Sequence, residues 1–380
     1  MLPLSDITIL DFSQFLSGPL TTLRLADLGA RVIKVEKPIT GDICREMYAS
    51  NVHLNGTSTV FHAINRNKES IVLDIKEDQD REVIKKLIKK ADVVIHNFRP
   101  GVMERLGFDY DAVRLINPKV VYGEISGYGT TGPWVKRPGQ DLLLQSLTGL
   151  TWLSGNQEDG PVPMGLSIID MFAGANLCNA LLACLYRRAI KDVGAHVHVS
   201  MLDSAIDIQF ETVTTYFNDG GELPMRSKVG NAHAYLGAPY GIYQTQDGYL
   251  ALAMGSLPQL SQLLSCKKLE GFEDGHQAFI EREKIKAILA EHFLSQTTQH
   301  WLDILEKADV WCADVLDWER LMKEEGFKAL DMIQKVYMGD GFSYETTRCP
   351  IRIDGEILKA EKGSPKLGEH TNQIKAELYD

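Results

Sequence analysis

At 380 residues the chain is long enough for two or three domains of ordinary size, and its composition, 44% hydrophobic and 24% charged with no low-complexity tract, is that of a globular protein. A formal charge of -11 excludes a nucleic-acid binder working through a broad basic surface, while leaving room for one small basic pocket and a polyanionic small ligand. The six cysteines, Cys44, Cys178, Cys184, Cys266, Cys312 and Cys349, lie scattered without a CxxC pair, so neither a zinc site nor a disulfide framework is signalled.

The opening MLPLSDITILDF lacks the basic n-region and long h-region of a signal peptide. No apolar run approaches the roughly 20 residues that cross a bilayer, so a cytoplasmic protein with no membrane partner is expected. A short strand is predicted over 7–12. Gly18-Pro19 then open a helix that runs through Leu28 and stops at Gly29, with proline just inside the start and glycine just past the end. RVIKVE at 31–36 is a second strand and completes a βαβ unit. Its end, Glu36-Lys37, is placed to meet a ligand at the carboxyl edge of a parallel sheet, or simply to be solvated.

The pattern repeats with a strand at 70–75, a charged helix at 79–90, a strand at 93–96, the loop Asn97-Phe98-Arg99-Pro100-Gly101, a helix at 110–116 and a strand at 120–125. Such alternation predicts an open α/β domain with ligands at its strand ends. The next loop, Gly127-Tyr128-Gly129-Thr130-Thr131-Gly132, spells GxGxxG. A dinucleotide fingerprint needs a helix to begin within its glycines, whereas Pro133 and Pro138 keep this chain irregular until about Gly139, so a flexible loop bordering a pocket fits better.

A helix is expected over 139–150, a turn-rich passage over 151–163, and a long helix after Asp170. AHVHVSM at 195–201 alternates like a half-buried strand, with His196 and His198 on one side but no third metal ligand close in sequence, so no metal is expected. One helix is expected over 202–217. The character changes near residue 218, where a polar Gly/Pro-containing link leads to short β-like runs with a turn at Asp247-Gly248 and then to a largely helical stretch over 257–325. The tail from Met338 returns to β-like segments and a short final helix.

One carboxylate stands out in this frame. In MGLSIIDMFAGANLCNALLACLYRR, residues 164–188, Asp170 sits where an apolar run becomes a long helix, followed by the small residues Ala173, Gly174 and Ala175. The helix dipole favours a charged carboxylate in a first turn, and small neighbours let a ligand approach the backbone. That describes a nucleophile, and equally an ordinary helix start.

Taken in order, LDFSQFLSGP at 10–19, LADLGARVIKVE at 25–36, NRNKESIVLDIK at 65–76, ADVVIHNFRPGVMERLGF at 91–108, INPKVVYGEISGYGTTGP at 116–133, the Asp170 helix start, GAHVHVSMLD at 194–203 and LGEHT at 367–371 resemble the family III CoA-transferases, the CaiB/BaiF group that includes formyl-CoA transferase and the carnitine CoA-transferase. The resemblance implies an α/β fold. A Rossmann-like large CoA-binding domain would be formed by both chain ends, residues 1–217 and the part after a return linker within 326–380, with a linker and a smaller α+β domain over 218–325 and two chains interlocked as a homodimer. It also implies that Asp170 attacks an acyl-CoA thioester to give a mixed anhydride and then an aspartyl-CoA thioester, which is nucleophilic catalysis. Coenzyme A thioesters and small carboxylic acids are then substrates and partners, with no tightly bound cofactor.

By position, the family's CoA contacts fall on Lys37, Leu73, Lys76, Asn97, Phe98, Arg105 and Leu106, cations for phosphate and apolar or amide groups for the base. Gly127, Tyr128 and Gly129 are candidate donors for a developing oxyanion, and Gln14, Gln140, Asp141 and Gly255 are candidate supporting residues. Asp141 has a bland reading as a helix N-cap. Two departures stand out. The glutamine that assists catalysis in formyl-CoA transferase falls on Leu16, two residues after Gln14, and the glycine run of its lid becomes Ala253-Met254-Gly255-Ser256, which argues against formate and oxalate as substrates.

Two alternatives differ in class. An α-methylacyl-CoA racemase pairs an Asp with a His inside a Gly-His-Asp triplet, but this chain has Gly139-Gln140-Asp141, and glutamine cannot exchange a proton near neutral pH. A non-catalytic CoA-binding protein would have no need of both Asp170 and the glycine loop. Met47, Tyr48, His53, Phe61 and Tyr235 lie in segments expected to line an acyl pocket, and succinyl-CoA with a short or dicarboxylic acceptor is the expected substrate pair.

Overall fold

The strands are short runs of Val and Ile enclosed on both faces, as in Val93, Val94 and Ile95, all 0% exposed, an arrangement that suits a parallel sheet covered by helices. The computed structural model describes residues 2–47 and 52–379. Its chain divides into two compact units, one of Met1–Leu144, Ser167–Ile208 and Ala329–Asp380, the other of Gln145–Leu166 and Gln209–Lys328.

The first unit is built on a six-stranded sheet. Its strands are β1 (Thr8–Asp11), β2 (Arg31–Glu36), β3 (Glu69–Val72), β4 (Val93–His96), β5 (Val121–Ser126) and β6 (Ala195–Ser200). They pair in the order β3-β2-β1-β4-β5-β6, parallel throughout. The order reverses between β1 and β4, and in open sheets of this kind the crevice at the carboxyl ends of such a pair is where ligands bind.

Helices α1 (Ser17–Asp27), α2 (Thr59–Asn65), α3 (Asp78–Lys90), α4 (Val102–Leu106), α5 (Tyr110–Ile116), α6 (Asp141–Leu147), α7 (Ile168–Lys191) and α8 (Met201–Asp207) follow in chain order. Local chemistry explains their ends. Asp78 and Asp80 open α3 and Lys89 and Lys90 close it, matching the helix dipole. The Asp109 carboxylate accepts the Ala112 amide at 3.2 Å at the start of α5. In α7, Ile169, Ala173, Leu177, Leu181 and Leu185 recur every fourth residue and form one buried stripe against α1, β5 and β6.

By length and composition α7 is apolar enough to cross a membrane. The expectation that no run approaches that length is therefore corrected, and in the fold the buried stripe of α7 is spent on the sheet and α1.

The helix expected over 202–217 is two helices, α8 and α9 (Phe210–Asn218), separated where the chain passes from one unit to the other. Helices α2 and α4 were not anticipated, because each is short and carries little periodicity. The strand expected at 70–75 ends at Val72, beyond which the Asp74 side chain accepts the Lys76 amide in a turn.

The second unit has a three-stranded antiparallel sheet, β7 (Gly241–Gln244), β8 (Tyr249–Leu252) and β9 (Cys312–Asp314), in the order β9-β8-β7. It packs with helices Leu257–Leu263, Arg282–Phe293 and Thr298–Leu305 around Tyr243, Leu250, Leu289, Phe293, Trp301 and Leu305. After it, β10 (Ile333–Tyr337) and β11 (Ser343–Thr347) pair antiparallel. The last segment then lies along β3. Ser70 donates its amide to His370 Nδ1 at 3.2 Å, Ser70 O accepts the His370 amide at 2.9 Å, and Val72 donates to Thr371 Oγ1 at 3.0 Å, just as α10 (Thr371–Ala376) begins. LGEHT thereby covers an otherwise open sheet edge.

Candidate active site

Asp170 occupies the first turn of α7 and is half-buried. Asp141 comes to the same place from the first residue of α6: its Oδ2 accepts the amides of Ile169 at 2.7 Å and Asp170 at 3.0 Å. Asp141 therefore acts as a cap for α7, and it brings a second carboxylate beside the first. Burial first, and the Asp141 charge second, raise the Asp170 pKa to about 6, while hydrogen bonds from the Ser17 hydroxyl and amide pull the other way. Such a group is ionised at neutral pH yet more basic than an ordinary carboxylate, a combination that favours nucleophilic attack.

Glycine explains how Ser17 gets there. A Cβ on Gly174 would lie 2.6 Å from Ser17 O, so the backbones of α1 and α7 touch at this point. Thr21 Oγ1 ties the contact, lying 3.0 Å from Ser17 O and 2.9 Å from Gly174 O. Gly174 is one turn beyond Asp170 on α7, so the start of α1 is held beside the carboxylate.

The loop between β1 and α1 is fixed by buried charge. Asp11 accepts the amide and hydroxyl of Ser13 and the hydroxyl of Thr22. Lys34 Nζ reaches Ser13 O at 2.7 Å and pairs with Asp42 at 2.8 Å, and Lys68 Nζ lies 3.3 Å from Asp11. Asp42 Oδ1 in turn accepts the amide of Phe15, which sits at φ 62°. Glu36 is clamped by Arg45 at 2.7 Å and by the Ser70 hydroxyl at 2.6 Å. Burial alone would raise the carboxyl of Asp11, but Lys68 and Lys34 outweigh it and hold it below the usual carboxylate range. Lys68 moves the other way, lowered to about 8 mainly by burial despite Asp11 beside it.

Asn97, immediately after β4, closes the crevice between β1 and β4. Its Nδ2 donates to Gln14 O at 2.6 Å, its Oδ1 accepts the Gln14 amide at 2.8 Å, and Nδ2 also reaches Ser17 Oγ at 3.4 Å. On the far side, the glycine loop is pinned backbone to backbone. A Cβ on Gly127 would meet Gly139 Cα at 2.7 Å and one on Gly139 would meet Gly127 Cα at 2.5 Å, so neither position admits a side chain without displacement. The Gly129 amide donates to Ser126 Oγ at 2.9 Å, and Tyr128 is buried with its hydroxyl 3.3 Å from Pro138 O. Gln140 is exposed, and its carbonyl accepts the amides of Leu143 and Leu144 at the start of α6.

Lys37, Leu73, Lys76, Asn97 and Phe98 all follow the carboxyl ends of β2, β3 and β4, and Arg105 and Leu106 lie on α4 just beyond. Lys37, Lys76 and Arg105 are exposed, and among the described residues no carboxylate pairs with them. Phe98 is half-buried and stacks on His96 with ring centroids 5.9 Å apart. Leu73 is 2% exposed within the core, its amide donating to Glu36 O, and Leu106 packs against the same core, so Leu73 offers a ligand almost no surface.

Phe61 is 0% exposed beneath the Arg45 guanidinium, 3.8 Å from its ring, so it packs as core rather than presenting a surface to an acyl group. Met47 and His53 are exposed, and Tyr48 lies outside the described residues. Gly255 and Tyr235 belong to the second unit, Gly255 in a cavity of about 590 Å³ with Pro239, Tyr240 and Trp311. Ser17 and the Asn97–Gln14 clasp carried no signal in the sequence beyond their place in LSGP and HNF.

Glu124, on β5, lies 3.2 Å from His96 Nε2 and 3.1 Å from His196 Nε2, and His198 Nε2 contacts Ser126 Oγ at 2.9 Å. Burial would raise Glu124, but His196 and His96 hold it down at about 2. Both strand histidines are thus engaged with β5, and among the described residues no group of three or more His, Cys, Asp or Glu could hold a metal ion.

The parallel sheet, its reversal between β1 and β4 and the paired carboxylates at the start of α7 define an α/β protein with a ligand crevice at its strand ends. Residues 4–371 match the family described as CoA-transferase family III, and the chain belongs to that family. It is 32% identical to acetyl-CoA:oxalate CoA-transferase of Acetobacter aceti over 99% of this chain and 96% of the relative. Against succinate–glutarate CoA-transferase of Agrobacterium fabrum the identity is 31%, over 99% and 96%. A crystal structure of a CaiB/BaiF family protein from Brucella suis superposes with a TM-score of 0.86 at 32% identity, covering 99% of each chain. The protein is a transferase of this family.

Proposed function

We propose that the protein moves CoA between an acyl-CoA and a free carboxylic acid with Asp170 as nucleophile. The Asp170 carboxylate adds to the thioester carbon, the C–S bond breaks, and a mixed anhydride and CoA thiolate form. The thiolate then attacks the aspartyl carbonyl, releasing the first acid and leaving an aspartyl-CoA thioester. An incoming carboxylate reverses these steps and leaves as the new acyl-CoA. The observation that carries this reading is the raised but still neutral-pH-ionised Asp170, held by Asp141 and Ser17 at the carboxyl edge of the sheet.

Lys37, Lys76 and Arg105, exposed and unpaired among the described residues, are the proposed phosphate contacts, with Asn97, Phe98, Leu73 and Leu106 toward the base. The amides of Gly127 and Tyr128 remain the proposed donors to the substrate oxyanion, with Gly129 shaping the loop because its own amide serves Ser126. Asp141 holds and charges Asp170, Gln14 and Gln140 border the site, and Gly255 belongs to a short lid.

Succinyl-CoA with a short or dicarboxylic acid is the proposed substrate pair, in keeping with the relative named for succinate and glutarate. The relative named for oxalate weighs against excluding that acid. An interlocked homodimer, in which residues 1–217 and 326–380 form a large domain and 218–325 the small one, completes the proposal. Exposed Phe210, Phe217, Leu223 and Met225 support it, since an apolar run of that size asks for cover. The chain is proposed to act in the cytoplasm.

Offering a panel of carboxylic acids against succinyl-CoA and acetyl-CoA, with new thioesters read by mass spectrometry, tests the reading. New acyl-CoA species are expected. Solvent deuterium at the α-carbon with no acyl exchange would instead assign a racemase.

A further inference from the structure

Ser17 is 2% exposed and has one polar atom to satisfy, its hydroxyl. Asn97 Nδ2 approaches that oxygen from one side at 3.4 Å, and amide nitrogens only donate, so the hydroxyl proton is left to point elsewhere. The contact between Ser17 O and Gly174, one turn along α7 from Asp170, holds the start of α1 beside that carboxylate, and the Ser17 hydroxyl hydrogen-bonds to it. Asn97 is itself fixed on both sides of the Gln14 peptide, so the chain Asn97 to Ser17 to Asp170 is preorganised rather than adaptable.

We infer that the Ser17 hydroxyl is a further catalytic group, a hydrogen-bond donor to the enzyme's own carboxyl that stabilises the oxyanion formed on Asp170 when CoA thiolate attacks the anhydride. This rests on the covalent reading of Asp170 above. In that step a C–S bond forms at the aspartyl carbonyl carbon and the carbonyl electron pair moves onto its oxygen. The pair then returns as the C–O bond to the departing acid breaks. Ser17 donates a hydrogen bond throughout and gives up no proton. A donor that already faces the carboxylate needs no reorganisation as charge returns to the same oxygen, the condition under which such donors are most effective.

The same hydrogen bond favours the ionised ground state, so its loss has two signatures. Ser17→Ala is expected to lower kcat about a hundredfold, the low end of what one such donor supplies, with KM for the acyl-CoA unchanged. It is also expected to move the acid limb of the kcat/KM profile to higher pH, because the carboxyl loses a partner of its charged form. Ser17→Cys, a weaker donor of similar size, is expected to fall between wild type and Ser17→Ala on both readouts, and serves if alanine disturbs the α1–α7 contact.

Unchanged kcat and an unmoved acid limb in both variants would overturn the inference. Hydroxylamine trapping of the wild type separates the two levels of the argument. A labelled Asp170 peptide with insensitive Ser17 variants refutes the role of Ser17 alone, and an unlabelled Asp170 peptide refutes the covalent reading beneath it.

Discussion

The two units of this protein bury different things. Beneath the crevice of the first lie ion pairs sealed from solvent: Lys34 with Asp42 and Arg66 with Asp27, side chains all 1% exposed, and Lys68 with Asp11, both 0%. The second unit is held by Leu250, Leu289, Phe293, Trp301 and their neighbours, and its pair Lys268–Glu291 is well exposed. Buried ion pairs are a poor source of net stability, since well-packed apolar residues of similar size often do as well or better. Two of these pairs sit under the loop that carries Ser13 to Ser17, which points to geometry as their use: Lys34, Asp42 and Asp11 each donate to or accept from that loop's backbone, and Lys68 holds Asp11.

That contrast can be broken in several ways. Asp170→Asn should cost the most, a loss of transfer activity of roughly a thousandfold or more, because Asp141, the other carboxylate there, is tied to the amides of Ile169 and residue 170 rather than presented to the thioester. Next, Lys34→Met removes one member of a sealed pair. It should lower unfolding free energy by about 3–5 kcal/mol, since Asp42 is left as a buried charge, and it should lower turnover per folded molecule as the loop loosens. Leu289→Ala in the second unit should cost about 2–5 kcal/mol in denaturant unfolding with turnover per folded molecule retained, as expected of plain core. If both variants behaved alike in turnover, the distinction between geometric charge and packing would fail.

A smaller effect has the opposite sign. The Asp170 carboxyl is raised from 3.8 to about 6, so the folded chain binds its proton more readily than the unfolded chain, and ionisation opposes folding at neutral pH. Asp170→Asn should therefore be more stable than wild type by about 1–2 kcal/mol at pH 7, after discounting for the group's partial exposure. The advantage should shrink as pH falls through about 6 and vanish below about 3.8. Thermal unfolding of the two proteins at pH 7 and pH 4 reads it directly. The kcat/KM of wild type should fall as pH drops through the same value near 6, as the nucleophile takes up a proton.

The βαβ grammar was open to inspection in the sequence because punctuation there is local. Val93–His96 and Tyr110–Ile116 have the bounds their flanking residues suggest. What the sequence hid is long-range. Lys34 sits in RVIKVE as if one strand face were wet, yet helices and loops cover both faces of this sheet and the lysine is 1% exposed. Asp141 reads as a cap for the helix it begins, and caps one that starts 27 residues later, at Ile168. Glu36 reads as a strand-end charge open to ligand, and is instead locked by Arg45 and Ser70. Each error has the same origin: the partner comes from another element, and nothing near the residue announces it.

The account turns on whether Asp170 becomes covalently modified. Incubating the protein with an acyl-CoA, trapping with hydroxylamine or reducing with borohydride, and mapping peptides by mass spectrometry measures this directly. The account predicts a hydroxamate or the reduced side chain on the peptide carrying Asp170, absent from Asp170→Asn. Acyl-CoA bound and turned over with that peptide unmodified would contradict it.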